Sequence, residues 1–186
     1  SHVDKSIKEG SMFLENVYGT FNLLNISKEI SLKKKLKFLQ ISTDEVFGSI
    51  KNNKFDSKSI YDPSSPYSAS KASSDNFVNS FAKTYGLDTA ICYSCNNFGP
   101  YQFLEKLIPL TIFRFLSGKK IGIYGNGKQK RQWIYVDDNV SAITKIMKSK
   151  FNNQRFFIGS RNEINNLNLV KLLLEELNKK TFKIKN

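Results

Sequence analysis

Apolar residues recur along the chain with two alternating periods, and the alternation predicts a succession of helices and strands. Spacings of three and four residues are typical of one helix face and predict helices over residues 10–30, 67–85, 105–116, 137–148 and 166–179. Short apolar runs predict strands over residues 37–41, 89–93, 121–124, 133–136 and 155–159. Because strands that alternate with helices form parallel sheets, we predict an α/β fold with a partial doubly wound parallel sheet.

Glycine and proline mark several of the predicted element ends. Pro66 stands just before the helix over residues 67–85, and Gly86 follows it, as Gly118 follows the helix over residues 105–116. Residues 125–127 form a Gly-Asn-Gly turn between two predicted strands. In the helix over residues 137–148, the spacing predicts one inward face, made by Val140, Ile143, Ile146 and Met147.

The composition is that of a folded domain. The chain has 186 residues, of which 40% are hydrophobic and 13% aromatic, enough for a sizeable core. No run of 18 or more apolar residues occurs, so we expect no membrane-spanning helix. The polar start over residues 1–5 is unlike a secretory signal. We therefore expect a cytoplasmic protein.

The formal net charge of +13 would attract anions, from nucleic acids to nucleotide sugars. Its distribution favours the smaller ligands, because apart from residues 33–35 the lysines are scattered among asparagine and isoleucine. Zinc-finger spacing, aromatic RNA-binding signatures and basic base-reading helices do not occur in the sequence. We therefore do not expect nucleic acid as a partner.

Cys92 and Cys95 form a C-x-x-C, a spacing found in redox and metal sites. They fall at the end of a predicted buried strand, no second cysteine pair occurs, and the one histidine is His2. We therefore interpret them as buried thiols of a reducing compartment and predict no metal site.

Tyr67 and Lys71 are the first candidates for catalysis. Residues four apart lie on one face of a helix, so the phenol and the ammonium can serve the same point. A nearby cation favours the phenolate and lowers a tyrosine pKa from its usual value of about 10, which would make Tyr67 a general base. This pairing indicates redox chemistry.

Asp44 and Glu45 add a second function. They follow the strand over residues 37–41, at the end where open α/β sheets bind their ligands. Two adjacent carboxyl groups can divide the roles of proton donor and proton acceptor, and the elimination of water requires both. Each half of this pattern taken alone has a structural alternative. The two carboxyl groups would form a solvated turn, and the tyrosine and lysine would form a surface pair.

The joint pattern resembles the dTDP-glucose 4,6-dehydratases, which are extended short-chain dehydrogenase/reductase proteins. The motifs that carry the resemblance are ISTDEVFG at residues 41–48, SPYSASKA at residues 65–72 and NNFGPY at residues 96–101. The likeness runs from residue 1 to about residue 163, in order and with similar spacing.

The resemblance implies NAD as cofactor and a nucleotide-linked glucose as substrate. Tyr67 would take the proton of the C4 hydroxyl, while Lys71 would tune Tyr67 and bind the nicotinamide ribose. Thr43 would hold the C4 oxygen, Glu45 would remove the C5 proton, and Asp44 would protonate the departing C6 hydroxyl.

The resemblance also implies binding residues and a partner. Asn97 would join Tyr67 and Lys71 at the cofactor. The implied substrate-binding residues are His2, Thr43, Asn96, Lys106, Leu107, Ile123, Tyr124 and Arg131. Residues 1–95 would form part of an NAD-binding domain and residues 96–186 would contain most of a small substrate-binding part. A homodimer formed through the two long N-terminal helices is also implied.

The glycine-rich turn that would hold the NAD pyrophosphate does not occur in these residues, since no G-x-x-G-x-x-G is present. We therefore expect a fragment that is inactive by itself. Two alternatives remain open: a nucleotide-sugar epimerase or decarboxylase, which would share Tyr67 and Lys71, and a non-catalytic interaction protein. The Asp44–Glu45 pair favours the dehydratase, because an epimerase needs no acid for a leaving hydroxyl.

Overall fold

The structure, a computed structural model, describes residues 10–48, 55–123 and 125–184. The helices in this part of the chain are α1 (Leu14–Ser31), α2 (Pro66–Tyr85), α3 (Leu107–Leu116), α4 (Val136–Lys148) and α5 (Asn166–Ile184). The strands are β1 (Lys37–Thr43), β2 (Asp88–Ser94), β3 (Asn96–Phe98), β4 (Lys130–Tyr135), β5 (Gln154–Ile158) and β6 (Glu163–Asn165). Two 3₁₀ turns, Gly10–Phe13 and Asp44–Phe47, precede α1 and follow β1.

The chain divides into two compact units. The described residues of Ser1–Ser94 and Val140–Ile158 form the first unit, and those of Cys95–Asn139 and Gly159–Asn186 form the second. The prediction that residues 1–95 form part of an NAD-binding domain and that residues 96–186 contain most of a substrate-binding part stays a prediction.

The first unit contains a parallel sheet in the order β1-β2-β5. Thr43 lies opposite Ser94, and Ser94 lies opposite Ile158, so the three strands reach their carboxyl ends in register. This edge of the sheet is the one at which ligands bind in open α/β folds.

Helices cover both faces of this sheet, because alternate residues of β2 enter different hydrophobic clusters. Ile91 and Tyr93 pack with residues of α1 and α2 on one face, including Leu24 and Val78. Ala90 and Cys92 pack on the other face with Ile146 of α4 and with Phe151. The predicted α/β fold with a doubly wound parallel sheet is therefore confirmed for this part of the chain.

Local signals explain the bounds of α2. The Ser65 hydroxyl accepts a hydrogen bond from the Ser68 amide at 3.1 Å, and the Ser68 hydroxyl accepts one from the Ser65 amide at 3.0 Å. This capping box satisfies two amides at the helix start, and Pro66 occupies the first turn, where its missing amide costs nothing. Gly86 ends the helix, as predicted, and it does so in the left-handed conformation, with φ of +67°.

The second unit contains the three-residue strands β3 and β6 and the six-residue strand β4. β3 pairs parallel with β4, and β4 pairs antiparallel with β6. The sequence pattern missed β3 and β6, because three residues are too few to show a period of two.

The strand predicted over residues 121–124 is wrong. Ile121, Gly122 and Ile123 have no regular structure, and Tyr124 lies outside the described residues. Gly122 weakens a strand by its conformational freedom, and the Lys120 carbonyl accepts a hydrogen bond from the Arg114 side chain at 3.0 Å. The backbone immediately before this segment is therefore bonded to a side chain.

The predicted inward face of α4 is only half right. Ile146 is buried and Ile143 packs against the same cluster, whereas Val140 and Met147 are exposed. The apolar face with which α4 packs on the sheet is therefore narrower than the spacing predicted. Across the described helices, none combines the length and the hydropathy that a membrane span requires.

Candidate active site

The carboxyl end of β1 presents Thr43 and the two candidate carboxyl groups. Thr43 is the last residue of the strand, and Asp44 and Glu45 begin the 3₁₀ turn that follows. The Thr43 hydroxyl accepts a hydrogen bond from the Glu45 amide and donates one to Asp44 Oδ1, both at 3.3 Å. Val46 and Phe47 are buried and anchor the turn in the core. All three polar side chains are half-buried at the sheet edge.

The first two turns of α2 carry Tyr67 and Lys71. The Tyr67 ring is half-buried and meets the Phe13 ring edge to face, with 5.7 Å between the ring centroids. The Lys71 ammonium donates a hydrogen bond to the backbone carbonyl of Ile41 at 2.6 Å. Ile41 lies two residues before Thr43, so α2 brings this cation close to the carboxyl end of β1. Burial lowers the pKa of Lys71, and the charge of Asp75 acts in the opposite direction.

Asp75, one turn beyond Lys71 on α2, is a residue that the sequence analysis missed. Its side chain is wholly buried, and its Oδ2 accepts a hydrogen bond from the Ser42 hydroxyl at 2.6 Å. Burial raises the pKa of Asp75 from an ordinary 3.8 to about 7, although Ser42 and Lys71 both favour the charged form. Its spacing of four from Lys71 is the signal that could have revealed it.

A second buried polar contact joins two tyrosines. The Tyr61 and Tyr93 hydroxyls are 2.6 Å apart, and the Arg155 guanidinium lies 5.0 Å from the centroid of the Tyr61 ring. Burial raises the pKa of both phenols, so both are neutral at physiological pH. Arg155 also donates to the carbonyl of Ser59 at 3.3 Å, which holds the segment before α2 against β5.

The second unit carries the predicted asparagines. Asn96 and Asn97 are half-buried on the short strand β3, opposite Trp133 and Ile134 of β4. Asn97 Nδ2 donates to the Cys95 carbonyl at 3.2 Å. Within the described ranges, buried Asn97 Oδ1 has no hydrogen-bond partner.

The other predicted substrate-binding residues occupy different places in the second unit. Lys106 precedes α3 and forms an ion pair of 3.7 Å with Glu105, and Leu107 is the first residue of that helix. Arg131 is exposed on β4, where it donates to the Lys130 carbonyl at 3.0 Å, and Ile123 is half-buried. His2 and Tyr124, also predicted, lie outside the described residues.

Cys92 and Cys95 are buried free thiols, and burial raises the pKa of Cys92. Among residues 10–48, 55–123 and 125–184, no group of three or more His, Cys, Asp or Glu side chains could hold a metal ion.

Comparison with known proteins identifies the family. The family model described as GDP-mannose 4,6 dehydratase matches residues 1–186. The chain belongs to the GDP-mannose 4,6 dehydratase family. A probable dTDP-glucose 4,6-dehydratase from Sinorhizobium fredii is 44% identical over 95% of this chain and 54% of its own length. The dTDP-glucose 4,6-dehydratase of Neisseria meningitidis serogroup B is 42% identical over 95% of this chain and 53% of its own length.

Solved structures of this family and of related enzymes have the same fold. The dTDP-glucose 4,6-dehydratase DesIV of Streptomyces venezuelae, crystallised with NAD, is 40% identical with a TM-score of 0.90, over 96% of this chain and 55% of that one. The UDP-glucose 4-epimerase of Thermotoga maritima, crystallised with UDP-glucose, is 30% identical with a TM-score of 0.86, over 94% of this chain and 57% of that one. The resemblance to dTDP-glucose 4,6-dehydratases is thereby confirmed. The chain spans about half the length of the curated relatives it matches.

Proposed function

We propose that the whole protein is a NAD-dependent dTDP-glucose 4,6-dehydratase, a lyase that forms a 4-keto-6-deoxy sugar nucleotide. One observation carries the proposal: the Lys71 ammonium of α2 is hydrogen-bonded to the backbone of β1 two residues before the Thr43-Asp44-Glu45 sequence. A cation that could bind a ribose and two carboxyl groups that could exchange protons therefore lie on adjoining elements of one unit. The dTDP-glucose 4,6-dehydratases among the relatives support the same reaction and substrate.

The residues of α2 fit the nicotinamide end of NAD. A phenol and an ammonium four residues apart offer hydrogen-bond donors suited to a ribose, and Tyr67 is only half-buried. When bound, NAD would supply the hydride acceptor for C4 and return the hydride to C6. Asn97, whose buried Oδ1 lacks a partner within the described part of the chain, is the further residue that we assign to the cofactor.

Tyr67 of α2 and the three polar residues at the end of β1 then each have a role in the reaction. Tyr67 accepts the proton of the C4 hydroxyl, and Thr43 holds the C4 oxygen by a hydrogen bond. The resulting 4-keto sugar has an acidic C5 hydrogen, which Glu45 removes. Asp44 donates a proton to the C6 hydroxyl, which leaves as water. Loss of the C5 proton and of the protonated C6 hydroxyl leaves a C5=C6 double bond beside the C4 ketone. A hydride returned to C6 and a proton delivered to C5 would then complete the 4-keto-6-deoxy sugar.

Residues of the second unit would bind the rest of the substrate. We assign Lys106 and Arg131 to the diphosphate, since both are cationic and the Arg131 guanidinium can bind two oxygens at once. The remaining assignments for the sugar and the base are His2, Asn96, Leu107, Ile123 and Tyr124.

The decisive experiment separates dehydration from epimerisation. The whole protein with NAD and dTDP-glucose should give a product lighter by one water, measured by mass spectrometry. Asp44→Asn and Glu45→Gln should each abolish that product and leave NAD binding, followed by fluorescence, unchanged. An epimerase, the class suggested by the Thermotoga maritima structure, would give a product of equal mass and would tolerate both substitutions.

Asp138→Asn is the matched control for these variants. Asp137 and Asp138 are also adjacent carboxyl groups shortly after a strand, but they lie exposed in the first turn of α4. Turnover should therefore stay within about twofold of the unsubstituted protein. Equal losses in the control and in Asp44→Asn would contradict a specific role for Asp44.

We further propose a homodimer formed through α1 and α2. Leu14, Tyr18 and Phe21 follow one another at helical spacing on α1, and all are exposed. Phe21 also contacts the exposed Phe77 ring of α2, with 5.4 Å between the centroids. A continuous apolar stripe of this kind favours a protein interface. Tyr18→Glu should convert dimers to monomers in light scattering after size exclusion, whereas Tyr85→Glu, at the far end of α2, should not.

We propose a cytoplasmic location as well, supported by the two buried free thiols, since such cysteines are typical of reducing compartments.

A further inference from the structure

Asp75 has a geometry that the proposed reaction does not explain. It is the only acidic residue of α2, and none of its side chain is exposed to solvent. Its Oδ2 accepts the 2.6 Å hydrogen bond from Ser42, whereas Oδ1 lacks a partner among the residues that the structure describes. A carboxyl group with one unsatisfied oxygen in a core is costly, so its presence there calls for a physical explanation.

Charged and titratable groups act on this carboxyl group from α2, from β5, from β2 and from the segment before α2. Lys71 lies one turn earlier on α2, and Arg155 of β5 also favours the charged form of Asp75. Burial raises the pKa values of Tyr93 of β2 and of Tyr61 before α2, and the charge of Asp75 acts in the same direction. From β1, only the uncharged side chains of Ser42 and Gln40 act on it. From α1, Asn16 bonds to α2 but does not titrate.

We propose that Asp75 is a positioning residue whose negative charge keeps the Lys71 ammonium protonated and held at the Ile41 carbonyl. This role deepens the proposed function and rests on it, because Lys71 is the residue through which Asp75 would act.

The physical reason is the cost of burying a cation. Lys71 loses much of its water on packing against β1, and that loss favours the neutral amine. A carboxylate one helical turn away offsets this cost, since opposite charges attract strongly where water is excluded. Lys71 bonds to a carbonyl, which is neutral, so this bond alone supplies no counter-charge.

The proposal makes the protonation of Lys71 depend on the charge of a second titrating group. Asp75 carries its charge only above a pH of about 7, in the range where Lys71 must still hold its proton. Because the coupling between two titrating groups is reciprocal, loss of either charge must shift the titration of the other by the same amount. The interaction between the charges of Asp75 and Lys71 can therefore be measured in two independent ways.

The first measurement uses Asp75→Asn, which has the same shape and can still accept the hydrogen bond from Ser42. Carbon-13 labelling of lysine Cε, with the Lys71 signal assigned by its absence in Lys71→Arg, gives the pKa of Lys71 directly. We expect Asp75→Asn to lower that pKa by about one unit. The high-pH limb of the kcat profile should move to lower pH by the same amount. Asp88→Asn, at the opposite end of β2, should change neither.

The second measurement guards against a failure of Asp75→Asn to fold. In Lys71→Gln, the carbon-13 signal of the Asp75 carboxyl group should titrate about one unit higher than in the unsubstituted protein. An unchanged Asp75 titration in Lys71→Gln, or an unchanged Lys71 titration in Asp75→Asn, would overturn the proposal. A kcat that is lower at every pH with an unchanged profile would also overturn it, because that result indicates a structural role.

The two spectroscopic readouts do not depend on turnover. If the whole protein forms no dehydrated product while both titrations shift, the proposed reaction fails and the coupling stands. If the product forms and neither titration shifts, the coupling fails and the reaction stands.

Discussion

The two compact units differ in how their candidate residues are held. Both hydrophobic clusters lie in the first unit, and β2 has six successive buried residues between them. In the second unit, the buried apolar side chains among the described residues are Cys95, Leu169 and Val170. The first unit therefore positions its side chains by packing, and the second presents them from short strands and helix ends.

This difference matches the division of the proposed roles. The residues assigned to proton transfer lie in the first unit, where a well-packed support limits their movement. Lys106 and Arg131, assigned to the diphosphate, lie at a helix start and on an exposed strand of the second unit. We infer that substitutions in the first unit change the reaction or the stability, and that substitutions in the second change substrate affinity.

The largest expected effect is on turnover in the first unit. Tyr67→Phe removes the proposed general base and should lower kcat by about 10²- to 10⁴-fold, measured by product formation under saturating substrate. Tyr85→Phe removes an exposed hydroxyl from the last turn of the same helix and should leave kcat within about twofold. Equal kcat values for the two variants would contradict the role of Tyr67.

The second effect is on stability and compares a buried leucine of the first unit with a half-exposed leucine of the second. Leu24→Ala, at a wholly buried position of the first unit, should lower the free energy of unfolding by about 2 to 5 kcal/mol. Leu172→Ala, at a half-exposed position of α5 in the second unit, should lower it by less than about 1 kcal/mol. Urea unfolding followed by circular dichroism measures both. Similar losses would contradict the expectation that the buried Leu24 contributes more to stability than the half-exposed Leu172.

The third effect is a pH dependence of stability in the first unit. Folded Asp75 holds its proton up to a pH of about 7, whereas unfolded aspartate loses it near 3.8. Between these values the folded state binds more protons, so the free energy of unfolding falls as pH rises. Asp75→Asn should remove about 1 to 4 kcal/mol of this decline, measured by urea unfolding across the window. The decline should persist in Asp88→Asn. If it also persisted in Asp75→Asn, the buried Asp75 carboxyl group would not be its source.

The smallest expected effect is on affinity in the second unit. Arg131→Lys keeps the charge and loses the paired donors, so KM for dTDP-glucose should rise about tenfold, about 1.4 kcal/mol, with kcat nearly unchanged. Arg161→Lys, exposed in the same unit, is the control and should leave KM unchanged. A fall in kcat without a rise in KM would place Arg131 in the reaction rather than in binding.

Several features of the fold and site could be predicted from the sequence because their signals are local. The helical spacing predicted α1 and α2, and Gly86 has the left-handed conformation expected at a helix end. The four-residue spacing of Tyr67 and Lys71 predicted a shared helix face. Residues 121–123 form no strand, which Gly122 disfavours, and β3 and β6 were too short to detect.

By itself, the sequence determined the residue types and spacings that carry the chemistry: a phenol and an ammonium four residues apart, and two carboxyl groups after a strand. Only the tertiary structure decided that Lys71 reaches the Ile41 carbonyl and that Asp75 is wholly buried beside Ser42. The physical reason is that spacing along a helix specifies a face, whereas burial and its effect on pKa depend on the strands that pack against that face.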